Sequence, residues 1–324
     1  MNPPKIRENP KLHIYPKARR RVHIRSALLL TLCACLLVTA GRIALLFLPA
    51  AIRPLPELLL TLLAFGGGAY LGLCVIDGDQ RRMLTFARLR REQILLYAML
   101  GVSCVCPMTL LADLWRALFA PGAQAQAAGM AAGGEASLFL VQLLKAALIV
   151  PFCEKLFFRG YLLGALERFG GLRAALVSAL CFALAHGVSV GGLVVHTLMG
   201  LVLVLIFYRT QSLYAAMLVH GCYNLAIVLI SYSGLTVLFD RLSLLSCALR
   251  LAGCAAFVLL ARLAYEKGAP QGEREPRRKA SGGFSRREWM KIACALALML
   301  LAAASWPVMQ EIHSALTKAP EVLR

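Results

Sequence analysis

The chain reads as all-α: a polytopic transmembrane helical bundle of about eight or nine spans. Three observations predict this. Of its 324 residues, 60% are hydrophobic and only 16% charged, with a mean hydropathy of +0.71, where a soluble domain carries about 25% charged residues. Apolar runs of helix-spanning length recur along the sequence, each bounded by basic residues or glycine, as expected for helices crossing about 30 Å of hydrocarbon. Lys and Arg gather in alternate loops, the signature of membrane topology. A bilayer offers backbone groups no water to bond, so the runs should close their own hydrogen bonds as helices. The alternating pattern of a membrane barrel is not seen.

The first span, 25–49, starts late and lacks a small-residue cleavage site, so it reads as a membrane helix and not a cleavable signal peptide. The second, 56–77, holds Gly66-Gly67-Gly68, which suits close helix approach or a kink better than phosphate binding. The third, 93–118, ends on Asp113 and Arg116, an interfacial pair. The fourth, 137–166, is longer than a bilayer requires and should tilt or protrude. The fifth, 172–188, is short and polar-ended, as a buried helix would be. Spans 190–208, 212–231 and 243–265 follow. The ninth, 289–308, is least regular, with Pro307 and Gln310-Glu311-Ile312-His313 close behind.

The basic residues orient these spans. Lys5, Arg7, Lys11, Lys17, Arg19, Arg20, Arg21 and Arg25 crowd the N-terminal tail. Arg81, Arg82, Arg88, Arg90 and Arg91 follow the second span. Arg168 and Arg173 follow the fourth, Arg209 the sixth, and Lys267, Arg274, Arg277, Arg278, Lys279, Arg286 and Arg287 the eighth. The intervening loops are nearly free of them, so this set should face the cytoplasm, N-terminus included, across a bacterial plasma membrane. The resulting divisions are a basic cytoplasmic tail (1–24), N-terminal membrane helices (25–136), a motif-bearing core (137–231), a further membrane helix (232–265), a basic cytoplasmic linker (266–288) and a C-terminal helix with its tail (289–324). The Gly/Ala-rich 121–136 stretch reads as an outward loop. Topology and anionic lipid account for the net charge of +19, so no nucleic-acid partner is implied.

Eleven cysteines are present, all in apolar spans. Cys33/Cys35 and Cys104/Cys106 are spaced by one residue, which is not the C-x-x-C of zinc or redox sites. Buried cysteine behaves as a small hydrophobe. Cys153, Cys181 and Cys222 nevertheless lie near the polar clusters, which keeps a thiol mechanism open.

Those clusters carry the chemistry. Segment 151–160 reads P-F-C-E-K-L-F-F-R-G, with Glu154 and Arg159 separated by roughly 140° on a regular helix. Segment 182–186 places Phe182 and His186 one turn apart, and 220–224 does the same for His220 and Asn224. Measured from the basic boundaries, all three clusters lie about 15–21 Å into the membrane at 1.5 Å per residue. Ionisable residues there are costly and mark sites. A carboxylate beside an imidazole can take a proton from water and return it to a leaving amine. An imidazole and an amide one turn apart can donate to an oxyanion. The competing reading is interhelical hydrogen bonding, which any one of these residues alone would satisfy. His196, without a motif partner, reads as a packing or hydrogen-bonding residue.

In order and spacing, the clusters resemble the E-E-x-x-x-R, F-x-x-x-H and H-x-x-x-N motifs of the CPBP family, the membrane proteases related to type II CAAX prenyl endopeptidases. Glu154 and Arg159 match the first motif, Phe182 and His186 the second, His220 and Asn224 the third. The resemblance implies that Glu154 and His186 activate water and that His220 and Asn224 serve the oxyanion, with Arg159 and Phe182 in support. It favours chemistry without a metal or other cofactor; Glu154, His186 and His220 would be the ligands if zinc were used. Lys155 stands where the family has a second glutamate. It would face Arg159 as a like charge, and would either snorkel or pair with an acid that the sequence does not identify. The expected function is an intramembrane endopeptidase acting on a membrane-associated peptide or lipidated protein within the lipid bilayer. The alternatives are a catalytically degenerate binding or immunity protein and a sortase-like protease using Cys153 or Cys222.

Overall fold

The computed structural model of the chain describes residues 24–49, 52–76, 84–119, 136–167, 171–187, 190–233, 235, 244–268 and 284–322. Among them are nine helices and no strand. They are α1 (Ile24–Leu45), α2 (54–76), α3 (Arg91–Phe119), α4 (136–166), α5 (Gly171–Leu184), α6 (Val190–Thr210), α7 (Leu213–Tyr232), α8 (Leu244–Lys267) and α9 (Arg286–Val322). Seven are long and apolar enough to cross a membrane. The other two are α4, which carries Lys145, Glu154, Lys155 and Arg159, and the short α5. Residues 1–23, Arg81, Arg82, 121–135, Arg168 and 269–283, on which part of the charge pattern and the linker reading fall, lie outside the described residues.

Proline interrupts one helix and is tolerated in another. Pro107 has no N–H to offer Ser103, and α3 breaks one turn earlier at Cys104. The ninth span was read over 289–308, yet α9 continues through Pro307 to Val322. Met309, Gln310, Glu311, Ala315 and Lys318 beyond the proline favour helix, and the Phe47 ring just past α1 meets the His313 ring of α9 edge-on at 5.5 Å.

Helix α4 is the hub, touching α2, α5 and α7, while α5 lies along α6, α7 along the first half of α3, and α1 along α9. Lipid gives helices no hydrophobic drive to associate, so close approach at small residues matters. An ideal Cβ at Gly200 would lie 3.0 Å from the Cα and Cβ of Ala179, and one at Gly68 2.9 Å from the Phe157 ring. The glycine triplet of α2 is thus a close-approach surface. Phe157, Phe158, Tyr161, Leu162 and Leu166 fill the centre with no exposure, while Leu63, Leu148, Leu205 and Leu301 are largely exposed, as lipid-facing side chains should be. At the basic end, residues 84–87 clasp the α6–α7 turn: Leu213 N–H donates to Thr85 O at 2.8 Å and Ser212 Oγ–H to Ala87 O at 2.6 Å.

At the opposite end of α3, Asp113 pairs with Arg116 and also with the fully buried Arg250 of α8. The interfacial pair read from the sequence is therefore part of an interhelical bridge.

Candidate active site within the bundle

The site is shaped by irregular turns of α4. Lys145–Ile149 and Leu156–Leu162 are π-helical, flanking the α-helical Val150–Lys155. In the π pattern the Ala146 carbonyl would accept from residue 151, but Pro151 has no N–H. Asn224 of α7 supplies the missing donor, its Nδ2 lying 2.8 Å from Ala146 O. One turn earlier on α7, Gly221 lies so near the Ala147 carbonyl that a Cβ there would collide with it. A proline on one helix and a glycine and amide on the other thus bring α7 against α4 where Glu154 begins the next turn.

Glu154 is 3% exposed and meets both imidazoles. Its Oε1 lies 3.7 Å from His186 Nε2, and its Oε2 3.5 Å from His220 Nδ1. His186 Nδ1 is 2.7 Å from Phe182 O. A carbonyl only accepts, so Nδ1 carries the hydrogen, and in the neutral ring Nε2 presents a lone pair toward Glu154. Two acceptors at 3.7 Å do not bond each other, and a water donating to both fits the chemistry of that gap. His220 Nδ1 is buried and makes no hydrogen bond. The sequence motifs therefore meet: Glu154, His186, His220 and Asn224 converge from α4, the end of α5, and α7.

The supporting residues are arranged differently from the expectation. Lys155 does not snorkel but pairs with an acid, and that acid is its neighbour Glu154: it is fully buried, its Nζ lying 3.4 Å from Glu154 Oε2 and 4.5 Å from the centre of the Phe182 ring. Neighbours in a regular helix diverge, but α4 changes from α to π at Leu156. The i→i+5 bonding also widens the turn carrying Arg159, so the 140° separation computed for a regular helix does not apply. The Arg159 guanidinium sits 4.7 Å from the Phe182 ring centre and donates through Nη2 to Gly200 O at 2.8 Å. Phe182 is thus a shared platform, meeting both cations and also the rings of His186 (4.6 Å) and His220 (5.8 Å). An aromatic face offers the cations electrostatic stabilisation without a second carboxylate.

Three further residues border the centre. His196 of α6 stacks on His186 at 4.4 Å between ring centres, with its own Nδ1 on Gly192 O. It is a packing and hydrogen-bonding residue as read from sequence, but the ring it packs on is the site's. Arg42 of α1 donates through Nη1 to the His186 carbonyl at 2.7 Å, satisfying an orphan at the C-terminal end of α5. Gly187, at φ +57°, ends that helix in the left-handed conformation, and a Cβ on it would lie 3.5 Å from Trp306 Cβ of α9. Arg42 carried one sequence signal that was not used, a lone charge inside the apolar 25–49 span, whereas Trp306 in its apolar run carried none.

Cys153 and Cys222 lie against neighbouring helices. Cys153 Sγ is 3.4 Å from an ideal Cβ at Gly66, and Cys222 Cβ is 2.9 Å from one at Gly101. The zinc alternative brings Glu154, His186 and His220 together, but among the described residues no group of three or more His, Cys, Asp or Glu is arranged to hold a metal ion.

A helical membrane bundle with a carboxylate between two imidazoles in its interior defines a class, the integral membrane proteins built around an intramembrane polar centre. Residues 136–226 match the family model described as Type II CAAX prenyl endopeptidase Rce1-like. The match runs over α4 to α7, which carry all three motifs. It bears out the resemblance to CPBP-family intramembrane proteases and implies a membrane endopeptidase of the CAAX-protease kind. Comparison with curated proteins and with solved structures gives no match.

Proposed function

We propose that the chain is an intramembrane endopeptidase in which Glu154 and His186 activate water against a peptide bond of a membrane-associated or lipidated protein. The observation carrying this reading is the buried Glu154 carboxylate, with His186 Nε2 at one oxygen and His220 Nδ1 at the other. Water in the Glu154–His186 gap gives a proton to Glu154 as its oxygen attacks the carbonyl carbon. The tetrahedral oxyanion accepts hydrogen bonds from His220 and from the Asn224 amide hydrogen not used on Ala146. Glu154 then returns the proton to the leaving amine as the C–N bond breaks.

Lys155 balances the Glu154 charge inside the bilayer, and its ammonium would oppose a divalent cation at Oε2, which supports metal-free chemistry. The basic ends of α1, α5, α6 and α9 are assigned to the cytoplasm, with the N-terminus, in a bacterial plasma membrane. The test is cleavage of candidate membrane peptides by purified protein beside Glu154→Gln and His186→Ala. Each variant should fold and lose about 10²–10⁴-fold in rate. Wild-type cleavage that survives in Glu154→Gln would refute the mechanism.

The Lys155–Glu154 contact favours one second reading, a degenerate binding or immunity protein whose carboxylate is committed to an ion pair. Such a protein would cut nothing in the same assay and bind its partner equally well with Glu154→Gln. The cysteine mechanism has less support, because the Cys153 sulfur faces Gly66. Cys153→Ser and Cys222→Ser should keep full activity.

A further inference from the structure

We propose that the basic ends of α1 and α9 together hold one anionic phospholipid, its phosphate on Arg25, Arg287 and Lys291 and its acyl chain starting against Met290 and Cys294. Neither helix belongs to the segment matched by the family model, and the site does not depend on the protease reading. A cavity of about 360 Å³ at the surface of the bundle is lined by those five residues. Small-molecule sites run from about 300 to 1,000 Å³.

The two helices run parallel. Arg25 and Arg287 are each the second residue of their helix and share the cavity, while Phe47 and His313 meet toward the other end. Parallel neighbours bring the positive ends of their backbone dipoles together, and the three cations add to that charge. Arg287 and Lys291 are four residues apart and share one face of α9. Among the described residues no carboxylate lines the cavity, and none pairs with any of the three cations. The acid of the first turn, Glu288, is held at the cap of α9, where Ser285 N–H and Oγ–H donate to its Oε2 at 2.9 and 2.8 Å. Two other arginines at this end of the bundle are committed to protein: Arg90 donates to Lys267 O, and Arg209 donates to Tyr265 O and stacks on its ring. The cavity thus gathers positive charge that only an anion from outside the chain can balance.

Depth decides the source of that anion. Phe284 and Trp289 pack edge-on at 4.8 Å between ring centres at the start of α9, with Trp289 exposed, as an aromatic anchored at the headgroup level would be. Arg287 and Lys291 flank Trp289 in sequence. Cys294 lies about 10 Å farther along the axis than Arg287, at 1.5 Å per residue. The exposed Met290 and Cys294 therefore carry the cavity from the headgroup level into the hydrocarbon. A free phosphate would leave that apolar floor uncovered, whereas a phospholipid covers both halves. Basic pockets between membrane helices suit such head groups.

The test uses the purified full chain in neutral detergent, with phosphatidylglycerol or phosphatidylcholine added and the retained lipid counted by native mass spectrometry. The wild type should retain one phosphatidylglycerol per chain and release phosphatidylcholine. A triple variant with Arg25→Gln, Arg287→Gln and Lys291→Gln should bind phosphatidylglycerol about 100-fold more weakly, at about fivefold for each cation lost. A second triple variant, with Arg88→Gln, Arg91→Gln and Arg173→Gln, removes three exposed cations from the same end outside the cavity and should bind as the wild type does. Cys294→Trp fills the floor and keeps every charge; it should weaken binding too, and carries the test alone if the first triple variant does not fold. Equal losses in the two triple variants would reduce the effect to surface charge and overturn the proposal, as would unchanged binding in the first triple variant or in Cys294→Trp. Displacement of the bound lipid by inorganic phosphate would assign the cations to a free anion and overturn it as well.

Discussion

Lys155 shows how one substitution is accommodated in a buried site. Its ammonium rests between the Glu154 carboxylate and the Phe182 ring, with no exposure to solvent. Removing one partner of such a pair leaves an unbalanced charge in low dielectric, whereas removing both does not. Lys155→Met should therefore destabilise the protein, and should cost about 0.5–3 kcal/mol less in the Glu154→Gln background. Thermal unfolding of the four proteins in one detergent measures the coupling; additive losses would mean the pair does not interact. The catalytic candidates were legible in the sequence because order, spacing and depth all restrict which residues can meet. The partner of Lys155 was not, because i,i+1 neighbours diverge in the regular helix that sequence reasoning assumes.

At the scale of the helix, Pro151 and Asn224 form a complementary pair. Proline leaves the Ala146 carbonyl without an intrahelical donor, and the amide from α7 supplies one. Asn224→Ala should then cost about 1–3 kcal/mol by orphaning that carbonyl, in addition to any loss of rate. Pro151→Ala restores a backbone N–H, so the stability cost of Asn224→Ala should shrink in that background while the rate stays low. Unfolding and cleavage assays on the same four proteins separate the two roles; equal stability costs in both backgrounds would show that the carbonyl is not what Asn224 satisfies. Seven of the nine helices were readable from hydropathy as long apolar runs, and the charged α4 and short α5 from apolar runs that depart from that pattern. The two π segments of α4 were not, because they arise from packing around Pro151 and Phe182 and leave the hydrophobic pattern unchanged.

For the whole molecule, the helices outside the matched segment reach the centre: α1 through Arg42 and α9 through Trp306 beside Gly187. Arg42→Gln should lower kcat by about 10–100-fold if it loosens the end of α5 that carries His186, since small misplacements of a reacting group have effects of that size. Arg42→Lys, which keeps the charge and a donor, should recover part of the loss. An unchanged kcat in Arg42→Gln would limit α1 to scaffolding. Sequence periodicity could count these helices but could not say which end of each met the others, because nothing in an apolar run marks a distant partner.

The charges on α4 also bear on how the protein is made. Lys145, Glu154, Lys155 and Arg159 sit in one helix, and at roughly 2.5–3.5 kcal/mol for each charge near a helix centre they would oppose its lateral release from a translocon by about 10 kcal/mol. Helix α5, only 14 residues long, cannot span the hydrocarbon without help. The two helices bearing Glu154 and His186 are therefore the two least able to partition into lipid alone. During biogenesis they must be held until α6 and α7 emerge to cover them, so assembly of the motif-bearing segment is a concerted, late event in translation.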